Sequence, residues 1–148
     1  MRRALMIFML ASLASSAACR RSTRSGITEN PPPAAAPAER AAFRAGRLAS
    51  PLSRLSKDEL AAALARGGWR VTMASEVSSD GKRTVLAGAT KVGTSVTVTV
   101  YVPPDEFWEV ELEKERGAYE RRDGALIGVV IADAPAEARV VLDSLLGR

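Results

Sequence analysis

The chain has 148 residues, with 21 lysines and arginines against 17 aspartates and glutamates, one cysteine and no histidine. Without histidine there is no imidazole base, no Ser-His or Cys-His nucleophile pair and no histidine-ligated metal, and a single cysteine excludes an internal disulfide and a four-thiolate metal site. At about 100–200 residues per domain, the length fits one domain and a leading segment.

The positive charge lies in the first third of the chain. Residues 51–148 hold thirteen basic and fifteen acidic side chains, so the excess of arginine belongs to residues 1–50. A protein that wraps nucleic acid needs positive charge on its folded surface, where it replaces the counterions of the phosphates. The distribution of charge therefore predicts no nucleic-acid partner.

Residues 1–18 have the three parts of a secretory signal peptide. Arg2 and Arg3 form a positive start, residues 4–14 are an apolar run interrupted only by Ser12, and residues 15–18 are small. The apolar run is shorter than the roughly 20 residues that a membrane-spanning helix needs. The pattern predicts export and removal of this segment.

The end of the segment, Ser16-Ala17-Ala18-Cys19, resembles the lipobox of bacterial lipoproteins over residues 1–19. The resemblance implies that Cys19 becomes the first residue of the mature chain and the site of lipid attachment, with a membrane as partner. Because Arg20 rather than aspartate follows the cysteine, it implies an outer-membrane position facing the periplasm. Ser16 stands where the lipobox usually has leucine, and this sequence also fits an ordinary signal-peptidase site, which leaves a released protein as the alternative.

Residues 19–50 are the predicted tether between the lipid anchor and the folded domain. The segment is rich in proline, alanine and arginine, includes Pro31-Pro32-Pro33, and has few large apolar side chains with which to build a core. Consecutive prolines favour extended polyproline structure, at about 3.1 Å per residue. We expect a semi-rigid spacer whose first arginines lie near lipid headgroups.

The remaining residues, 51–148, predict a domain that begins with a helix and three strands. Ser56 and Glu59 have the spacing of a capping box, and Gly67 suits the left-handed position after the helix. Alternating apolar residues predict strands over 69–76, 83–91 and 94–102, with a hairpin turn at Ser79-Asp80-Gly81. The first strand is expected to place three apolar side chains on one face: Trp69, Val71 and Met73.

Residues 104–116 fit both a helix and a strand. Their apolar and acidic residues alternate as in a strand, but several glutamates on one strand face are unusual, and Pro104-Asp105-Glu106 suits a helix start, so a helix is favoured. A hairpin about Asp123-Gly124 then joins two strands over 119–122 and 126–132. A last helix is predicted to be capped by Asp133 and to end at Gly147.

This order of elements predicts an α+β fold. We expect a small sandwich with a mainly antiparallel sheet of four to five strands and two to three helices on one face.

One face of the predicted sheet is a candidate binding surface. If the helices cover only the face that bears the valines, the opposite face is open, polar and flat, and suits a partner protein or a cell-wall glycan; an ordinary solvated sheet face is the alternative. Trp69, Phe107 and Trp108 are instead expected in the core, because their neighbours are apolar. The candidate partner face consists of Arg70, Thr72, Thr97, Thr99 and Tyr101.

No catalytic, metal or cofactor site is predicted. Residues 88–95 lack the lysine position and the following helix of a phosphate-binding loop, and no serine-nucleophile motif is present. The glutamates between 106 and 115 are typical of a solvated face. We expect a lipid-anchored, non-enzymatic cell-envelope protein that displays a structural or partner-binding domain. The alternatives are a released accessory or inhibitor module and an enzyme that uses carboxylate chemistry.

Overall fold

The structure, a computed structural model, describes residues 42–148. Within them a five-stranded antiparallel sheet, in the order β1-β2-β3-β5-β4, packs with three α-helices. The helices are α1 (Lys57–Arg66), α2 (Glu106–Lys114) and α3 (Ala138–Leu146), and the strands are β1 (Arg70–Ser79), β2 (Lys82–Lys91), β3 (Thr94–Val102), β4 (Ala118–Arg122) and β5 (Ala125–Val130). The α+β class, the antiparallel sheet and the helix after β3 are confirmed. The predicted signal peptide, lipobox and most of the tether lie outside the described residues.

Tight two-residue turns set the register of the sheet. Asp80-Gly81, Val92-Gly93 and Asp123-Gly124 all have positive φ at both positions, which is the geometry of turns that match the twist of a hairpin. They connect β1 to β2, β2 to β3, and β4 to β5. Because a shift of one residue would turn every side chain to the other face, these turns decide which residues are buried.

The core lies on one face of the sheet, called here the first face. Val96, Val98 and Val100 of β3 are buried there, as the alternation predicts. They meet leucines of α1 and the apolar stripe of α3, in which Val141, Leu142 and Leu145 are fully buried. Two helices therefore cover one face of the sheet, as expected.

The helix α2 lies on the opposite face, called the second face. Gly128 of β5 points to that side, and the methyl carbons of Leu112 occupy the space that a side chain at this position would fill. Asp105 caps the helix, because its carboxylate accepts a hydrogen bond of 3.0 Å from the Phe107 N–H. The sheet is thus covered by helices on both faces, with α2 mainly over β4 and β5.

The cap of α1 differs from the predicted one in two respects. Ser56 Oγ does accept a hydrogen bond from the Glu59 N–H, at 3.2 Å, but the Glu59 carboxylate does not reach back to Ser56. It accepts instead from the N–H groups of Ala49 and Ser50, each at 2.8 Å. The left-handed residue after the helix is Gly68, with φ +81°, because Gly67 has φ −78°.

The predicted start of the domain at residue 51 is also corrected. Leu48 is buried, and its N–H donates to the Leu145 carbonyl of α3. The Gly46 N–H donates to the Ala63 carbonyl of α1, and Trp69 Nε1 donates to the Arg44 carbonyl at 3.0 Å. The last residues of the segment interpreted as a tether therefore belong to the domain.

Two further local expectations are wrong. A register shift between Val71 and Met73 interrupts β1, so that Met73 leaves the face of Trp69 and Val71 and is 51% exposed. Asp133 does not cap α3, because a short 3-10 turn, Pro135–Glu137, precedes that helix and its N-cap residue is Glu137. The predicted end of α3 at Gly147 is confirmed, with φ +79°.

Candidate functional site

The five residues of the predicted partner face do not form one open surface. Arg70, Thr72 and Thr97 are exposed, but Thr99 is buried and Tyr101 is half-buried. Thr72 lies at the irregularity of β1, where its hydroxyl donates to the Gly88 carbonyl at 3.1 Å. The face was expected to be open if helices covered only the valine face. That condition does not hold, because α2 lies over the second face beside Tyr101.

Tyr101 instead belongs to a cluster of three aromatic side chains at one corner of the second face. Its ring stacks on Trp108 with 4.4 Å between the ring centroids and 7° between the planes. Phe107 meets Trp108 edge to face, with centroids 5.0 Å apart. Both are geometries that aromatic pairs prefer. We call this cluster, Tyr101, Phe107 and Trp108, the aromatic corner.

The aromatic corner is exposed, which corrects the expected burial of Phe107 and Trp108. Phe107 is 58% and Trp108 37% exposed, whereas Trp69 is buried as predicted. The physical reason is the direction in which α2 docks. Leu112 points into the sheet, and Trp108, four residues earlier on the same helix face, stacks on Tyr101 near the end of β3, so only one side of its ring is covered there. Phe107 lies off that helix face and is the more exposed of the two.

A cleft of about 320 Å³ opens beside the aromatic corner. Its other walls come from the start of β2 and the end of β3, where Lys82, Thr84 and Pro103 contribute side chains. Arg83 also borders the cleft, but its guanidinium is committed elsewhere: it donates to Glu76 at 3.0 Å and to the Leu55 carbonyl at 2.7 Å. Among residues 42–148, Lys82 makes no ion pair.

Several ionisable groups of α2 and β4 near the corner are held by neighbours. The Tyr119 hydroxyl donates to Glu113 at 2.5 Å, and this hydrogen bond raises the pKa of Tyr119. Glu109 binds Arg121 and Glu111 binds Lys114. Burial raises the pKa of Tyr101, so that phenol is neutral at physiological pH. The glutamates of α2 hold the helix to β4 and to itself.

The described residues hold no cluster of three carboxylates or other metal-binding side chains close enough together to bind an ion. Within the same range no helix is long and apolar enough to cross a membrane. Comparison of the chain with protein-family models, curated proteins and solved structures gave no match.

Sequence reasoning found one of the three residues of the aromatic corner, Tyr101, and assigned the other two to the core. A signal for their exposure exists in the sequence. Within Glu106–Lys114 the apolar residues are Phe107, Trp108, Val110 and Leu112, which do not form a single stripe at helical spacing. A helix of that composition cannot bury all of its apolar side chains against one sheet.

Proposed function

We propose that this protein is an exported, lipid-anchored, non-enzymatic protein of the cell envelope that binds a partner protein through the aromatic corner. The binding part of the proposal depends on one observation, the exposure of Phe107 and Trp108 beside an open cleft. Tryptophan and tyrosine are enriched among the residues that contribute most to protein–protein affinity. A folded domain gains no stability from leaving such rings in water.

The anchoring part of the proposal depends on Cys19 and the residues before it. Each buried methylene of an acyl chain contributes about 0.8 kcal/mol, so two or three chains on Cys19 hold a protein firmly to a bilayer. The domain is described from residue 42, which leaves residues 20–41 between the anchor and its first described residue. This spacer supports display of the domain away from the outer-membrane surface, within the periplasm.

Substitution of Cys19 tests the anchor. Cys19→Ala should move the protein from the membrane fraction to the soluble exported fraction, and the matched control Ser22→Ala should leave it in the membrane fraction. Intact mass of the native protein should show a chain that begins at Cys19 with added acyl groups. A soluble wild-type protein without that added mass would establish the released form instead.

The chemistry of the cleft favours an apolar segment of a protein over a glycan. Sugars need several polar groups to bind their hydroxyls, and two of the polar groups here are occupied: Asp105 caps α2, and Arg83 binds carbonyls and Glu76. The remaining polar side chains at the cleft include Lys82 and Thr84. A partner segment with a large apolar side chain and a nearby carboxylate would match the aromatic rings and the Lys82 ammonium.

Site-specific photocrosslinking in intact cells tests this binding surface. A photoreactive residue at position 107 should give a discrete crosslinked protein band, and one at position 92 should not. Val92 is 96% exposed and lies in the β2–β3 turn at the other end of the strands, so it is a matched exposed control. Trp108→Ala should abolish a crosslink formed from position 107.

The glycan alternative has its own readout. In a co-sedimentation assay with purified, insoluble cell-wall glycan, the domain should stay in the supernatant. If the domain sediments with the glycan and Trp108→Ala abolishes this, the aromatic corner binds glycan. Equal crosslinking from positions 107 and 92, or none from either, would remove the aromatic corner as the binding surface and leave the anchor unaffected.

Glu59 does not have the features of a catalytic carboxylate. Catalytic carboxylates usually lie in a cleft with a raised pKa. Glu59 instead has a pKa that is lowered by hydrogen bonds from Ser50 and Ala49. It stabilises the fold and lies outside the cleft at the aromatic corner.

A further inference from the structure

The outer edge of β1 is a long free strand edge in the described part of the chain. β1 has ten residues and pairs with β2 alone, whereas the opposite edge strand, β4, has five. A free edge exposes unpaired N–H and C=O groups to which another strand can add. The one irregularity of β1 lies between Val71 and Met73, so residues 73–79 are regular and open.

The hydrogen-bond pattern identifies which groups on this edge are free. A two-residue turn closes on a hydrogen-bonded pair, here Ser79 and Lys82, and hydrogen-bonded pairs then recur at every second residue of β1. Residues 77, 75 and 73 therefore bond to β2. The N–H and C=O groups of Ala74, Glu76 and Ser78 point outward.

Two apolar side chains are exposed along the same edge. Met73 is 51% exposed and Val77 62% exposed. Both lie on the second face, with Ser75 between them. A regular free edge flanked by exposed apolar side chains is the arrangement that soluble proteins avoid unless the edge is paired.

We propose that two copies of this chain pair antiparallel through β1, with Ser75 on the two-fold axis, and form one continuous sheet. In this register Ala74 lies opposite the partner's Glu76, so their outward N–H and C=O groups exchange hydrogen bonds. Met73 lies opposite the partner's Val77, and the two-fold axis repeats that apolar pair. The dimer depends neither on the lipid anchor nor on the aromatic corner.

Charge and the irregularity of β1 select this register over its neighbours. A shift of two residues in one direction places Glu76 directly opposite the partner's Glu76, and like charges at opposed positions are destabilising. A shift in the other direction places Val77 opposite the irregularity at Val71. The proposed register also brings the Arg70 end of each strand next to the partner's Asp80 turn, so opposite charges meet at both ends.

Disulfide trapping in the exported full chain tests the register. The chain carries Cys19→Ala, which removes its only native cysteine. Ser75→Cys should form a disulfide-linked dimer under mild oxidation, because opposed residues of a pair without backbone hydrogen bonds lie about 4.5 Å apart between Cα atoms. The matched control Val77→Cys should not, since the two copies of residue 77 lie four positions apart along the strands.

Equal trapping of the two variants, or none from Ser75→Cys, would overturn the proposed pairing. A combined Met73→Cys and Val77→Cys variant should also be trapped, since those positions face each other across the axis.

Sedimentation tests the dimer itself. The chain with Cys19→Ala alone should sediment as a dimer, and Val77→Asp should weaken dimerisation by roughly tenfold or more, because it replaces both apolar pairs with buried charge. Val77 is largely exposed in the single chain, so this variant should keep its far-UV circular dichroism spectrum. A monomer at concentrations on the order of 100 μM, or a dimer indifferent to Val77→Asp, would refute the proposal.

Discussion

Substitution of Gly128 by alanine tests whether close packing of α2 on β5 fixes the aromatic corner. A Cβ at position 128 would lie 2.5 Å from Leu112 Cδ1 and 2.6 Å from Leu112 Cδ2. Ordinary contact between carbon atoms is about 3.5–4.0 Å. Leu112 is buried and has little room to turn away, so α2 must lift by about 1 Å or Leu112 must take a strained rotamer.

The expected cost is about 2 kcal/mol in the free energy of unfolding, the usual size for an overpacked core position. For a domain of this size that corresponds to a fall of about 10 °C in Tm. The sign of this change in the free energy of unfolding is informative, because alanine in a strand otherwise stabilises a protein by roughly 0.5–1 kcal/mol relative to glycine. Lifting α2 should also separate Trp108 from Tyr101 and alter the near-UV circular dichroism of that stacked pair.

Gly88→Ala is the matched control. Its Cβ would meet Met73 Cγ at 2.9 Å, but Met73 is half-exposed and flexible, so it can move aside at little cost. Urea unfolding of the exported chain with Cys19→Ala, followed by tryptophan fluorescence, measures both variants. In a Leu112→Ala background, Gly128→Ala should cost little or stabilise, because the clash is gone. Equal stability of the Gly88 and Gly128 variants, or additive effects in the double variant, would refute the packing argument.

Glu59→Gln should destabilise the domain by about 1 kcal/mol at pH 7, a value reduced for solvent exposure, by weakening the hydrogen bonds to Ala49 and Ser50. The pKa of Glu59 is lowered in the folded state, so its contribution is present above the ordinary glutamate pKa and disappears as pH falls through the folded value. Urea titrations of the two proteins should therefore converge once the pH is below the folded pKa, and a constant difference would contradict this linkage. Arg83→Lys should cost about 1–3 kcal/mol, because lysine cannot bond Glu76, Ser53 and Leu55 together. Arg121→Lys alters an exposed ion pair and should leave stability almost unchanged. Equal losses for these two variants would show that the hydrogen bonds of Arg83 to Ser53 and Leu55 do not stabilise the fold.

The sequence by itself determined the features that depend on a few neighbouring residues. The positive-φ turns at Asp80-Gly81 and Asp123-Gly124, the Ser56 cap and the alternating valines of β3 each require only local geometry. These signals were sufficient for the α+β class and for an antiparallel sheet. The same locality explains the wrong expectation for Glu59. Its spacing from Ser56 fits a capping box, but the N–H groups of Ala49 and Ser50 come from another segment and bind its carboxylate instead.

The tertiary structure alone decided which face each helix covers, and therefore which residues form the candidate site. No local pattern predicts that Leu112 packs on Gly128, sixteen positions away, and this contact places α2 on the second face. Trp108 lies four residues before Leu112 on the same helix face and stacks on Tyr101, while Phe107 is left more exposed beside it. Burial depends on which surfaces meet after the chain has folded, and that depends on the joint fit of side chains far apart in sequence.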